Sequence, residues 1–424
     1  MARADSFTDR MPICVSRSNA QGRAWAWEPV NQAQSAVLQG KDVMRIIVKV
    51  LAGLSALTLL HVGSANAEVI LLDRDNGSPI FNDLKIQIGG SIRAGYRNVM
   101  GGSDDGSYRH RGFDDGTRFR FTAEYFLNDD LNLVAYYEPG VDIFRALDWD
   151  DHYDPDRNHT TKRQLYGGIV SQRYGTLTYG KQNSVFYSAV GEKTDLILNA
   201  MNGQGPGNGV DGNYDGSYRG RDLVKYVNEF GPVTLHLGWT LPTNDYYLGG
   251  SGDDLLRYTR KGGAAVGAEY QLNDDLVLSA AYSYTEARVR QGSQDSTEYD
   301  QQMLGGAVSW RPGNWTLAAL VGQYKDFLPL ERRTPVPSDY FEGDAYGWEY
   351  FLGYTFPLQA GILKSTQPYV AGNAMRWDEY QTNYHFVGLS TKLAYGFRVD
   401  LERTFANTSD DQPDENWVRL RYDF

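Results

Sequence analysis

Four cations and two carboxylates carry the most distinctive chemistry in this chain. Arg118 and Arg120 alternate with Phe119 and Phe121, Arg163 and Lys181 recur on later segments of the same kind, and Glu192 and Asp195 follow in a long polar connection. None of them forms a nucleophile with a base beside it. If the cations stand on one side of a water-filled space and the carboxylates on the other, they set up a transverse field that passes small hydrated polar solutes and resists apolar ones. Competing chemistries lack their residues. The six histidines, among them His110, His152, His159, His236 and His385, show no metal-ligand spacing. No nucleophile elbow or glycine-rich phosphate loop precedes a helix, and GNGVDG at 207–212 reads as a flexible loop tip. No catalytic group, metal or cofactor is expected.

The elements that carry these charges must alternate, because Arg118, Arg120, Arg163 and Lys181 cannot all face hydrocarbon, where each would cost about 2–4 kcal/mol at mid-depth. Alternation is what the sequence shows. The last eight residues place Val418, Leu420, Tyr422 and Phe424 on one face and Trp417, Arg419, Arg421 and Asp423 on the other. Phe119, Phe121, Ala123 and Tyr125 oppose Arg118, Arg120, Thr122 and Glu124 in the same way. Sixteen such segments can be drawn, at 84–97, 117–126, 131–139, 162–171, 176–182, 219–229, 233–241, 262–272, 275–289, 299–311, 314–327, 344–357, 363–376, 380–393, 395–405 and 414–424. Their lengths suit tilted membrane strands. Long spacers alternate with tight turns such as Asn128-Asp129-Asp130, Gly231-Pro232, Asn273-Asp274-Asp275 and Pro312-Gly313, with one short connection near Glu379 interrupting the rule. The fold class expected is all-β: a 16-stranded antiparallel transmembrane barrel, wide enough for an aqueous lumen, with short periplasmic turns and long extracellular loops.

The start of the chain points to export. Met44, Arg45 and Lys49 open an apolar stretch that ends in Ser64-Ala65-Asn66-Ala67, the pattern of a signal peptide over 44–67 cut after Ala67. Residues 1–43 lack periodicity and read as an upstream extension from a mis-assigned start, and 68–424 as the barrel. The whole chain has a net charge of −12, and removing the leader, which carries three more basic than acidic groups, leaves about −15. So acidic a protein is a poor partner for nucleic acid. Cys14, the only cysteine, leaves with the leader, so neither a disulfide nor a thiolate metal site is available. Forty-six Gly and 30 Tyr against 15 Pro suit many strands joined by turns.

Several stretches resemble the general trimeric porins of Gram-negative outer membranes: EVILLDRDNG at 68–77, RFRFTAEYFLNDDL at 118–131, RQLYGGIVSQRYGTLTYGKQNSVFYSAVGEKTD at 163–195, and the terminal Phe424. The resemblance implies that the longest spacer, 183–218, is a third loop folded into the barrel, with acids facing a basic wall. Carried over by position, Arg118, Arg163 and Lys181 stand on that wall, Arg219 or Arg221 takes a further place, and Asp195, with Glu192 near it, lies on the loop. The sequence departs from the family at Asn199, where a second acid is usual, and at Lys181, where arginine is usual. Phe424, with Tyr422 and Leu420, stands where the family's assembly signal is read by the barrel assembly machinery. A homotrimer in lipid and lipopolysaccharide is implied, with strands such as 262–272 and 299–311, carrying Gly263, Ala265, Gly267, Gly305 and Ala307, available for close packing between copies. Asp104-Asp105, Asp114-Asp115 and the run from Asp148 to Asp156 could share divalent cations with lipopolysaccharide, but lack a Ca²⁺-loop spacing and read as solvated acidic loops. The function implied is passive diffusion of ions and small hydrophilic solutes, with mild cation selectivity from the net charge. A sugar or oligosaccharide channel is the alternative, and a barrel-type hydrolase, which would need a rim Ser/His or Asp/His set, is the reading from another class.

Overall fold

The computed structural model describes residues 68–100, 110–146, 160–198, 203–204, 212, 216–249, 256–326, 344–377, 380–409 and 411–424. The expectations for the leader, Asn199, the acidic runs at 104–105 and 148–156 and the connection near Glu379 lie outside the described residues.

Sixteen long strands follow one another as antiparallel neighbours and close on themselves. They are β1 (Leu84–Met100), β2 (Arg118–Phe126), β3 (Leu131–Val141), β4 (Thr160–Ser171), β5 (Gly175–Asn183), β6 (Arg219–Phe230), β7 (Val233–Thr240) and β8 (Leu256–Asn273). The second half comprises β9 (Leu276–Gln291), β10 (Thr297–Trp310), β11 (Trp315–Lys325), β12 (Asp344–Tyr354), β13 (Leu363–Trp377), β14 (Tyr380–Leu393), β15 (Phe397–Ala406) and β16 (Asp414–Asp423). Short pieces at Val69–Leu72, His110–Asp114, Tyr246–Gly249 and Phe356–Ala360 extend individual strands. Each expected segment coincides with one of the sixteen; the main difference is β8, which begins at Leu256 instead of 262 because it also pairs with Tyr246–Gly249 and the far end of β9.

Turn chemistry accounts for the short connections. The Asn128 side-chain oxygen accepts from the backbone N–H groups of Asp130 and Leu131, each at 2.9 Å, and Asn273 in the related LNDDL sequence accepts from Asp275 N at 3.0 Å. Both are Asx turns. Gly231 and Gly313 adopt φ of +61° and +58°, the left-handed region that such tight reversals need and that glycine enters without a Cβ clash.

Alternation sorts the side chains as the sequence implies. Along β12, Tyr346 and Leu352 are exposed on the outside, while Ala345, Glu349 and Phe351 are buried inside. Val266, Leu278, Leu304 and Val321 join this outward band. An apolar belt of that extent has no place in water and matches a lipid-facing barrel surface.

The seam is made by β1 and β16, in register from Ser91 opposite Asp423 to Met100 opposite Asp414. Phe424 carries the ladder one step further: Gly90 N donates to Phe424 O at 2.8 Å and Phe424 N donates to Gly90 O at 3.2 Å. Beyond it Val69–Leu72 pairs with the first part of β1, so this edge is covered almost to its end. The Phe424 ring lies over Gly90, where a Cβ would stand 2.8 Å from its Cζ, and meets Phe119 edge-on at 6.0 Å. Deleting Phe424, or placing a side chain under it with Gly90→Leu, is expected to lower severalfold the fraction of protein that refolds into a heat-modifiable barrel in detergent. Wild-type refolding of both variants would show that the seam closes without this contact.

Candidate functional site

The segment after β5 turns into the barrel instead of away from it. Ser184 caps a short helix, α1 (Val185–Ala189), by accepting from Tyr187 N at 3.0 Å, and a 3₁₀ turn follows at Gly191–Lys193. Its apolar side chains press against wall positions that lack side chains. Val185 and Ala189 pack over Gly267, Val185 also over Gly238, and Phe186 over Gly305, where a Cβ would come 2.6 Å from the Phe186 ring. Phe186 also meets Tyr324 edge-on at 6.0 Å. This corrects the expectation that the Gly and Ala faces of 262–272 and 299–311 pack between copies. Their outward rows are Val266, Tyr270 and Leu304, and the small residues face inward to make room for the loop.

Polar contacts then fasten the segment along the inner wall. Lys225 Nζ donates to Ser188 Oγ at 2.6 Å, and Lys193 Nζ to Glu269 at 2.5 Å, whose other oxygen lies 3.0 Å from His236 Nε2. Glu349, buried on β12, accepts from Thr194 Oγ1 (2.5 Å), Gln204 Nε2 (2.9 Å) and Gly203 N (3.1 Å). Glu402 on β15 accepts from Leu198 N at 3.1 Å and Tyr369 OH at 2.6 Å. A buried carboxylate is tolerated where several donors converge on it, as they do at Glu349.

Of the sequence-derived site residues, the structure brings Arg118, Arg163 and Arg219 together around Glu138, a residue that sequence reasoning had not singled out. Arg163 Nε lies 2.7 Å and Arg120 Nε 3.4 Å from the Glu138 carboxylate, and Arg118 and Arg219 are both among its electrostatic neighbours. Arg219 also stacks its guanidinium over Tyr218, 4.0 Å from the ring centre. Glu192 and Asp195 lie on the inward segment. The Tyr187 hydroxyl donates to Asp195 Oδ2 at 2.5 Å. Glu192 keeps an exposed side chain on this segment, and the partial desolvation it meets, only partly offset by Lys193 and Lys225, raises its carboxyl above the ordinary range.

Lys181 and Arg221 stand apart from this group. Lys181 sits opposite Leu165 in the row of the outward-facing Leu177 and Tyr179, and its Nζ donates to the Lys162 carbonyl at 2.5 Å. The inward positions of β5 are Thr178 and Gln182, which hydrogen-bond each other at 2.7 Å. Arg221 is exposed at a bulge where the β5–β6 register shifts between Gly180 and Gln182. The bulge defeats simple alternation for Arg221, whereas for Lys181 alternation from Leu177 and Tyr179 already points outward and it was the family resemblance that had put it on the inner wall.

Beside Asp195 a cavity of about 430 Å³ opens between the inward segment and the wall. Arg93, Arg118, Lys392, Arg398, Arg419 and Arg421 line it, with Arg311 at the turn below. Alternation along the last strand had already put Arg419 and Arg421 on a polar face. Only barrel closure shows that strands from the two ends of the chain pool those charges.

A family model described as Gram-negative porin matches residues 53–384. Among solved structures, the chain is similar to Salmonella typhi OmpF in complex with daunomycin, with 14% identity over 81% of this chain and 98% of that one and a TM-score of 0.59. It is also similar to an anion-selective porin from Comamonas acidovorans (16% identity, 80% and 100% covered, TM-score 0.52). The trimer form of OmpT from Vibrio cholerae matches at 14% identity, 80% and 99% coverage and a TM-score of 0.52. At these identities the structural likeness concerns the fold. No curated protein matches the chain.

Glu349→Ala would strand three donors of the inward segment, each at a cost of about 1–3 kcal/mol. Because the outer surface is untouched, the variant is expected to fold as a heat-modifiable barrel whose single-channel conductance is larger and noisier than that of the wild type. Conductance equal to the wild type in level and noise would show that Glu349 does not hold the segment in place.

Proposed function

The chain belongs to the Gram-negative porin family, and on that premise we propose that it is a passive outer-membrane channel for ions and small hydrophilic solutes. The observation that carries this reading is the 184–198 segment fastened inside a closed barrel, with Asp195 and the cationic side chains Arg93 and Arg118 lining the same cavity. In this reading residues 44–67 are a cleaved signal peptide, 1–43 an extension ahead of it, and 68–424 the working barrel. Phe424, Tyr422 and Leu420 present the terminal strand to the assembly machinery, and the outward belt meets lipid and lipopolysaccharide.

Selectivity follows from which charges the permeating ion feels. The net charge favours cations, which motivated the expectation of mild cation selectivity, but charges on distant loops are screened within about 8 Å at physiological salt. The cavity lining is mostly cationic and lies next to the path, so this reading favours anions in the narrow section. Neutralising one group there should shift the local potential by more than the thermal energy. Asp195→Asn is expected to raise anion preference severalfold, and Arg118→Ala to lower it while widening the pore, as measured by reversal potentials across planar bilayers in a salt gradient. Unchanged reversal potentials in both variants would exclude this constriction from the conduction path.

The homotrimer is proposed on the analogy of the Vibrio cholerae OmpT trimer, supported by an outer wall at β2–β5 with exposed Phe121, Leu133, Leu165 and Leu177. Light scattering of the detergent-purified protein should give three times the chain mass; a monomer in several detergents would remove the assignment.

A further inference from the structure

On the turn side of the arginines gathered at Glu138, the inner wall turns aromatic. Tyr136 shares the inward face of β3 with Glu138 and stands nearer the short turn at 128–130. Directly across from it on β4 is Tyr166, and the two rings stack with centres 5.0 Å apart and 23° between their planes. A cross-strand aromatic pair steadies the sheet. It does not account for what surrounds the pair, because the wall positions on either side are small: Thr122 of β2 lies across from Tyr136, and Gly180 of β5 across from Tyr166. Stacking occupies one face of each ring, and nothing larger than a threonine or a glycine stands across the wall from the second. Both tyrosines are half-buried.

The polar groups at the rim of this shelf include donors and acceptors with bonding capacity left over. The Tyr136 hydroxyl donates to Glu138 Oε2 at 3.1 Å, whereas the Tyr166 hydroxyl makes no hydrogen bond among the described residues. Glu68 and Glu138 are both electrostatic neighbours of Tyr166. Among the described residues Glu68 accepts one long hydrogen bond, from Thr122 Oγ1 at 3.5 Å. Arg120 approaches Glu138 through Nε at 3.4 Å and keeps 34% of its side chain exposed. Glu68 and Arg120 offset each other in charge, so the shelf selects by shape and hydrogen bonding. An apolar face with donors and acceptors around it suits a solute built the same way, with a flat C–H face bounded by hydroxyls, which describes a pyranose ring. An inorganic ion gains nothing from the ring faces, and an open-chain polyol has the hydroxyls without the flat face.

We propose that the Tyr136–Tyr166 pair is a stacking subsite for uncharged pyranosides, which pause there in transit. The proposal rests on the reading of the barrel as a channel and adds to it a preference among uncharged solutes. The sugar ring covers the open face of Tyr166, and its hydroxyls reach the Tyr166 hydroxyl, Glu68 and Arg120. A sugar held in this way obstructs the lumen and lowers the ion current until the site is full. A polyol that is not held lowers it only in proportion to its concentration.

The test is single-channel recording of the full-length mature protein in potassium chloride, with methyl β-glucopyranoside as the probe and sorbitol as a polyol without a ring. The glucoside should lower the current saturably, with a half-effect concentration at least about tenfold below that of sorbitol. Tyr166→Leu keeps an apolar side chain but removes the flat face, and should raise the glucoside half-effect about tenfold or more, whereas Tyr166→Phe should retain the preference for glucoside over sorbitol. Conductance without sugar shows that each variant has folded, and Tyr136→Leu, which dismantles the pair from its other side, supplies the same reading should Tyr166→Leu give no open channels. Equal potency of glucoside and sorbitol, no saturable effect of the glucoside, or an unaltered half-effect in the leucine variants would overturn the subsite while leaving the channel reading intact. Absence of any conductance steps from the folded wild-type protein would overturn the channel reading, and the subsite with it.

Discussion

A backbone amide in hydrocarbon has no water to bond to, and leaving one unpaired costs several kcal/mol, so a membrane sheet must close. In this protein the closure is the pairing of β1 with β16, reached across nearly the whole described chain and extended by Phe424 on Gly90 and by Val69–Leu72 beyond it. Every other feature depends on that seam. Closure fixes which face of each strand looks at lipid and which at water, and it brings charges from opposite ends of the sequence into one lumen.

Once inside and outside are defined, the inner wall has to accommodate a segment of its own chain. It does so with missing side chains and with buried carboxylates. Gly238, Gly267 and Gly305 leave room for Val185, Ala189 and Phe186, and Glu269, Glu349 and Glu402 accept the polar groups that the segment brings inside. The two devices are complementary. Packing holds α1 close to the wall, and the carboxylates fix where along the wall the following residues lie, which in turn sets the position of Asp195.

The charge arrangement follows from the same geometry. Seating the segment along β6–β12, with its end on Glu402 of β15, leaves the cations of β1, β2 and β14–β16 to line the remaining cavity. Arg398, Arg419 and Arg421 pair with Asp115, Asp400 and Asp423, and Arg118 stands among the arginines around Glu138. The local excess is positive although the chain as a whole is acidic, and a permeating ion senses the near charges more strongly than the far ones.

The sequence by itself determined the strands, their number and their two faces, because a period of two and the composition of tight turns are local properties: Asn128 and Asn273 act within two or three residues of themselves, and Val418 alternates with Arg419 whatever the rest of the chain does. It also marked 183–218 as exceptional in length and Arg118, Arg163, Arg219 and Asp195 as charges to watch. Three things were decided only in the tertiary structure. Glu138 became the hub of the arginines because β3 lies between β2 and β4 in the barrel, a neighbourhood that no spacing along the chain encodes. The bulge between β5 and β6 exposed Arg221, a turn that alternation along β6 does not encode. The glycines of β8 and β10 proved to be seats for the inward segment, since a small residue shows where something comes close but not what, and only folding brings Phe186 to Gly305.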